Sequence, residues 1–270
     1  MTDLVAALHT AARRFILSRR RMWREHAKRA PEQPRVVERA DTVEPRLYLL
    51  DALMTEVEGF VPSDFSDLEE ARRLLRAAGF TANNLFTRAV DEQREREALA
   101  MMQDERGAFV RYITAVTVEE LAQVEPLPHA RVLTRKESAR IWQQLEERWG
   151  IEGRRRYWYP LTDAPREEVE AFDVSLLALR PGLELLHRLL IAGGGKRIYE
   201  LPEMGAEREL ALQPDIPLFH REVEIYWTDD RLDWVVYISH KNTIAISGWL
   251  LEELKRAWPL WRALVWTPSE

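Results

Sequence analysis

The chain has 270 residues, 46% hydrophobic and 31% charged, with a formal net charge of −6. That is the make-up of a folded globular protein and excludes a disordered or fibrous chain. Cysteine is absent, which removes disulfides, thiol nucleophiles, zinc ribbons and iron–sulfur clusters from consideration.

No apolar run reaches the ~18 to 20 residues that cross a bilayer, so no transmembrane segment is expected. Arginines interrupt the apolar positions after Met1, and no small-residue cleavage site follows them. The expected location is cytoplasmic, without a signal peptide. The six histidines are scattered, with no pair at helical metal-site spacing, so neither a metal nor a cofactor is expected.

Residues 1–30 read as a basic amphipathic helix, with Leu4, Leu8, Ala11, Ala12, Phe15 and Ile16 on one stripe. Residues 1–39 hold ten Arg or Lys against four Asp or Glu, a local charge of +6 that leaves −12 on the remainder. Two readings follow. Arg13, Arg14, Arg19, Arg20, Arg21 and Arg24 form an arm for phosphates or an anionic surface, or the same arginines face water and pair within the chain. The three prolines of "RAPEQPRVVERADTVEP" mark residues 31–45 as a linker.

A helical region is expected over 46–106. Its clearest member is "SDLEEARRLLRAAGF", with a capping box at Ser66 and Glu69 and Gly79 as the stop. "NNLFTRAVDEQREREALAMMQDERG" continues it with an alternating-charge helical face. From residue 107 to 270 the pattern becomes mixed α+β. "AFVRYITAV" is β-branched and aromatic and reads as a strand. Thr117 with Glu120 and Thr134 with Glu137 open two helices, and "RRRYWYPL" reads as an extended strand halted by Pro160.

"AGGGKRIYEL" invites comparison with a phosphate-binding loop. Its glycines follow a helical pattern and precede a strand, and Arg197 stands where that motif needs Ser or Thr, so Gly193–Gly195 read as a helix stop and loop. The last block is the most regular. "REVEIYW", "WVVYIS" and "TIAIS" alternate as strands separated by "TDDRLD" and "HKN", and "WLLEELKRAWPLW" forms a covering helix. The fold class is therefore α+β: a mostly helical N-terminal part, then a mixed module ending in a three-stranded antiparallel meander covered by a C-terminal helix.

Ten tryptophans are present, and seven of them lie between residues 140 and 260. They read as bulky core or as an aromatic ligand-stacking surface. Trp227, Trp234, Tyr237, His240 and Lys241 are the binding candidates of the meander. His240, at a hairpin turn, is the catalytic candidate. Asp229, Asp230 and Asp233 lie at the opposite end of the shared strand, roughly 20 Å away. A partner for His240 must therefore come from outside its own hairpin, from residues such as Glu200 or Glu222.

The run Asp233 to His240, then Thr243 to Gly248 and a Trp-Leu-Leu helix, resembles the tail of small uncharacterised bacterial α+β proteins, some of the toxin-immunity kind. "EPLPHARVLTRKESARIWQQLEERWGIEG" followed by "YWYPL" strengthens the likeness, which spans residues 108–260. The resemblance implies a binding protein and assigns no catalytic residue. The expected function is that of a non-enzymatic bacterial protein acting by protein–protein recognition, with an immunity or defence role. The alternatives are a nucleic-acid-associated protein using the N-terminal arginines and a hydrolase-type enzyme using His240.

Overall fold

A computed structural model describes residues 3–29, 36–83, 92–151, 157–162, 168–174, 180–203, 205–212 and 224–266. The chain forms two compact units, Met1–Leu127 and Pro128–Glu270.

The first unit is helical. It contains α1 (Leu4–Arg29), α2 (Val36–Glu58), a 3-10 turn at Pro62–Asp64, α3 (Leu68–Thr81), α4 (Glu92–Ala115) and the single turn α5 (Val118–Leu121). The Asp3 carboxylate accepts from the Val5 and Ala6 amides and opens α1. Its stripe of Leu8, Ala11, Ala12 and Ile16 is buried against Leu49, Leu50, Leu53 and Val57 of α2, Leu75 of α3, and Phe109 and Ile113 of α4.

The helical unit departs from four sequence expectations. The expected linker 31–45 is helical from Val36 onward, with Pro45 inside α2. The proline costs about 3 kcal/mol, which is offset by full burial of Leu49, Leu50, Leu53 and Val57 one to three turns later, each contributing ~1.5–3 kcal/mol. The cap of α3 is Asp67, which accepts from the Glu70 amide, one residue beyond the expected Ser66 box. Gly79 lies within α3, where a Cβ would meet Val110 Cγ2 at 2.8 Å, so it serves close helix packing and not termination.

"AFVRYITAV" is the fourth. Ala108–Ala115 completes α4, because Phe109 and Ile113 continue the buried stripe begun by Met102 and Glu105. Burial outweighs the few tenths of a kcal/mol by which β-branched residues disfavour a helix. Of the stretch leading into α4, residues 84–91 lie outside the described residues.

The second unit is a seven-stranded antiparallel sheet with helices on both faces. Its strands are β1 (Ala130–Val132), β2 (Val169–Asp173), β3 (Arg197–Pro202), β4 (Arg208–Ala211), β5 (Ile225–Thr228), β6 (Trp234–Ser239) and β7 (Thr243–Gly248), in the order β1-β4-β3-β5-β6-β7-β2. The helices are α6 (Arg135–Trp149), α7 (Arg180–Ala192) and α8 (Trp249–Ala257).

The α+β class is confirmed, and the expected meander is the β5-β6-β7 core of a larger sheet. One face carries Trp227, Trp234, Val236, Ile238, Ile244 and Ile246 against Leu186 and Leu190 of α7 and Leu250, Leu251 and Leu254 of α8. The other face is a floor of small buried residues, Ala171, Ser239, Thr243, Ala245 and Ser247. Over this face Trp142, Trp149 and Trp158 pack with Tyr226 and Tyr237. Large aromatics filling the space above short side chains explain the tryptophan enrichment as packing.

Of the expected strand at 154–161, the described residues 157–161 form no strand. Residues 154–156 lie outside the described residues, and the buried Trp158 indole N–H donates to the Trp149 carbonyl at 3.1 Å. At the outer flank of β2, Val265 forms a bridge with Phe172 and the Trp266 amide donates to the Ala171 carbonyl at 2.7 Å. No helix among the described residues is long and apolar enough to cross a membrane.

Candidate functional site

The turn His240–Asn242 joins β6 to β7 and is fixed from within. Ser239 and Thr243 share a hydroxyl–hydroxyl bond of 2.7 Å, and the Lys241 amide donates to Ser239 Oγ at 3.1 Å. Asn242 takes φ 56° to close the turn, a left-handed conformation that asparagine tolerates.

A second anchor comes from outside the hairpin, at Glu224, one residue before β5. Its backbone has φ 59°, and its side chain is only 7% exposed. The His240 amide donates to Glu224 Oε1 at 2.9 Å, His240 Nδ1 bonds to the same oxygen, and the Tyr237 phenol donates to Oε2. Both carboxylate oxygens are thereby engaged, as a buried charge requires.

Burial first, and then the bond to Glu224, push the Tyr237 phenol far above its ordinary range, so it stays a neutral donor. Tyr226 stacks on Tyr237 with ring centroids 4.4 Å apart, and the Tyr157 ring lies 5.7 Å from that of His240. The carboxylate takes the Nδ1 hydrogen and so selects the tautomer whose Nε2 carries a lone pair. The His240 side chain is 43% exposed. The arrangement presents an oriented imidazole that accepts a hydrogen bond or a proton, or donates one when protonated.

The meander candidates separate into two groups. His240 and Lys241 are exposed at the turn, whereas Trp227, Trp234 and Tyr237 are fully buried and belong to the core. Of the carboxylates weighed for His240, Glu200 accepts from the Trp227 indole at 3.3 Å, and Glu222 lies outside the described residues. Asp233 holds the Trp249 indole at 2.9 Å and Asp229 holds Arg231 at 3.0 Å. Glu224 itself sits in a charged stretch that reads as a solvated face. Its signal is faint: a glutamate directly before the first strand of the meander.

The arginines of α1 are largely used within their own unit. Arg13 pairs with buried Glu58 at 3.1 Å, Arg14 donates to the Glu125 carbonyl at 2.8 Å, and Arg20 pairs with Asp51 at 2.8 Å. Arg19 donates to Glu105 Oε2 at 2.9 Å, and the Trp23 indole reaches the other oxygen at 2.8 Å. Arg46 lies over the Trp23 ring at 4.5 Å, and Glu105 is 1% exposed. Arg21 and Arg24 remain exposed. Within Met1–Leu127, 19 basic residues meet 22 acidic ones, so the local +6 becomes a net −3.

At the opposite end of β6 from His240, a cleft of about 460 Å³ opens between the glycine loop and the β5–β6 turn. The amides of Gly193, Gly194 and Gly195 donate to the carbonyls of Leu189, Ile191 and Leu190. The loop is thus the C-terminal closure of α7, with no amide left to cradle a phosphate. Among the described residues no three His, Asp or Glu side chains form a metal-binding group.

Fold and site together define an α+β protein whose mixed unit carries a carboxylate-anchored histidine on a hairpin turn. Comparison of the chain with protein-family models, curated proteins and solved structures finds no match.

Proposed function

We propose that the protein acts by recognising another protein, and that the His240–Lys241–Asn242 turn is a contact point. The observation that carries this reading is the pinned turn. Glu224 fixes from below a segment whose three residues are all exposed. Small substrates are held in concave sites that surround them, whereas an exposed turn of fixed shape suits a large partner surface at little ordering cost. His240 and Lys241 favour a partner that offers carboxylates or carbonyl oxygens there. A resemblance of residues 108–260 to small bacterial α+β proteins, some of the toxin-immunity kind, would make a toxin the first class of partner to test.

Affinity isolation from the source cells at low salt is expected to recover one stoichiometric protein with the native chain. Recovery should fall roughly tenfold with the His240→Ala, Lys241→Ala double variant, a loss of about 1.4 kcal/mol. An undiminished yield with that variant, or no stoichiometric partner at all, would overturn the reading.

A second reading rests on the Tyr237–Glu224–His240 chain, which has the base-and-orienter geometry of a general acid–base group. Turnover of chromogenic esters or amides that disappears in both His240→Gln and Glu224→Gln would favour it. Turnover indifferent to both would remove it.

A further inference from the structure

The cleft beside the glycine loop is built differently from the histidine turn, and it lies at the far end of β6, roughly 20 Å away. Lys196 and Arg197 line one rim, Asp229, Asp230 and Arg231 the other, and Glu209 faces the interior. Glu209 is buried, and its Oε2 accepts from His129 at 3.0 Å, Arg131 at 2.8 Å and Arg197 at 3.3 Å. Asp229 is buried and held by the Arg231 guanidinium at 3.0 and 3.2 Å.

Two charges stand apart. Lys196 and Asp230 are exposed, and neither side chain makes a hydrogen bond or ion pair among the described residues. They come from different elements, the loop after α7 and the β5–β6 turn, and both line the same cleft.

Among the described residues the cleft is lined by three cations and three anions, whose summed charge is zero. A simple anion drawn to Lys196 and Arg197 meets Asp230, Asp229 and Glu209 at once, and a simple cation meets the reverse. A neutral molecule without charges would bury its polar neighbours for no return. A molecule with one positive and one negative end, itself net neutral, matches the arrangement at both ends. The volume lies within the range of small-molecule sites. Tyr199 adds a phenol that burial and the neighbouring Glu209 and Asp230 keep protonated, hence a donor.

We propose that this cleft binds a free α-amino acid, with Lys196 taking its carboxylate and Asp230 its ammonium group. Binding in this cleft does not depend on the role of His240.

Calorimetric titration of the full chain with the standard free L-amino acids tests it. At least one should bind saturably, at millimolar Kd or tighter. Lys196→Met and Asp230→Asn should each weaken that binding roughly tenfold, as should N-acetylation or amidation of the ligand, while the melting temperature stays unchanged. No saturable binding up to about 10 mM, equal binding of the capped ligands, or binding indifferent to both substitutions would overturn it. So would tighter binding of inorganic phosphate.

Discussion

In Met1–Leu127 many of the groups that satisfy buried oxygens are long guanidinium side chains, whereas in Pro128–Glu270 many are short hydroxyls. Arg72 reaches the Ile113 and Val116 carbonyls at the end of α4, and Arg106 reaches those of Phe80 and Ala82 at the end of α3. In the mixed unit Thr228 donates to the Trp234 carbonyl at 2.7 Å, Ser247 to the Glu168 carbonyl, and Ser239 bonds to Thr243. The difference follows from the elements. A helix ends in carbonyls without partners, which a reaching cation can cap. A sheet pairs its backbone laterally, so its floor needs only small groups that leave room for tryptophans. Arginine content in the first unit is thus a measure of helix ends and buried acids as much as of surface charge.

The strongest way to break the mixed unit alone is Gly248→Ala. Gly248 has φ 73°, and an added Cβ would stand 2.1 Å from the Asp233 carbonyl oxygen. A loss of at least ~4 kcal/mol is expected, read by tryptophan fluorescence, since nine of the ten tryptophans lie in that unit. In the helical unit, Glu105→Ala removes the carboxylate shared by Arg19, Arg46 and the Trp23 indole, and should cost about 3–5 kcal/mol in denaturant titrations followed by circular dichroism. Ser247→Ala, the matching deletion in the sheet floor, should cost about 1 kcal/mol. Equal losses for the last two would erase the contrast.

Acid should also separate the units. Burial holds the His9 imidazole below its usual value of 6.5, with its Nε2 on the Val57 carbonyl at 3.0 Å. The unfolded chain then binds the proton first, so stability falls as pH drops below about 6.5, and His9→Gln should remove that slope. In the mixed unit the Arg131 fork lowers Glu137 from 4.5 to about 2. Its contribution is full above 4.5 and is lost as pH falls through that window toward 2. A helical signal that declines at higher pH than the fluorescence is the expected result. The smallest effects belong to exposed Arg21 and Arg24, whose replacement by Ala should change stability by no more than about 0.5 kcal/mol.

The meander and its covering helix are legible in the sequence because short β-branched and aromatic runs between Ile225 and Ser247 are bounded by plain turn residues. The Thr117 and Thr134 capping boxes are equally plain, since a cap depends on neighbours three residues apart. What fails is whatever depends on distant packing. Phe109 and Ile113 look like strand residues until the helix stripe they complete is known. Gly79 looks like a stop until the neighbouring helix is seen against it.

The histidine site is legible by half. The turn that exposes His240 and the need for a partner beyond its hairpin both follow from strand geometry. That the partner is Glu224 depends on β5 pairing with β6, which brings Tyr226 opposite Tyr237 and sets the preceding glutamate beside the turn.

The bridge between Phe172 and Val265 gives the chain's last described residues a protective task. β2 ends the sheet, and an uncovered flank there offers hydrogen-bonding groups to any extended chain. With Val265 and Trp266 laid along it, that flank is occupied by the molecule's own tail. A chain cut after Leu264 would carry an open seam, and copies meeting at high concentration would find in each other the strand they had lost.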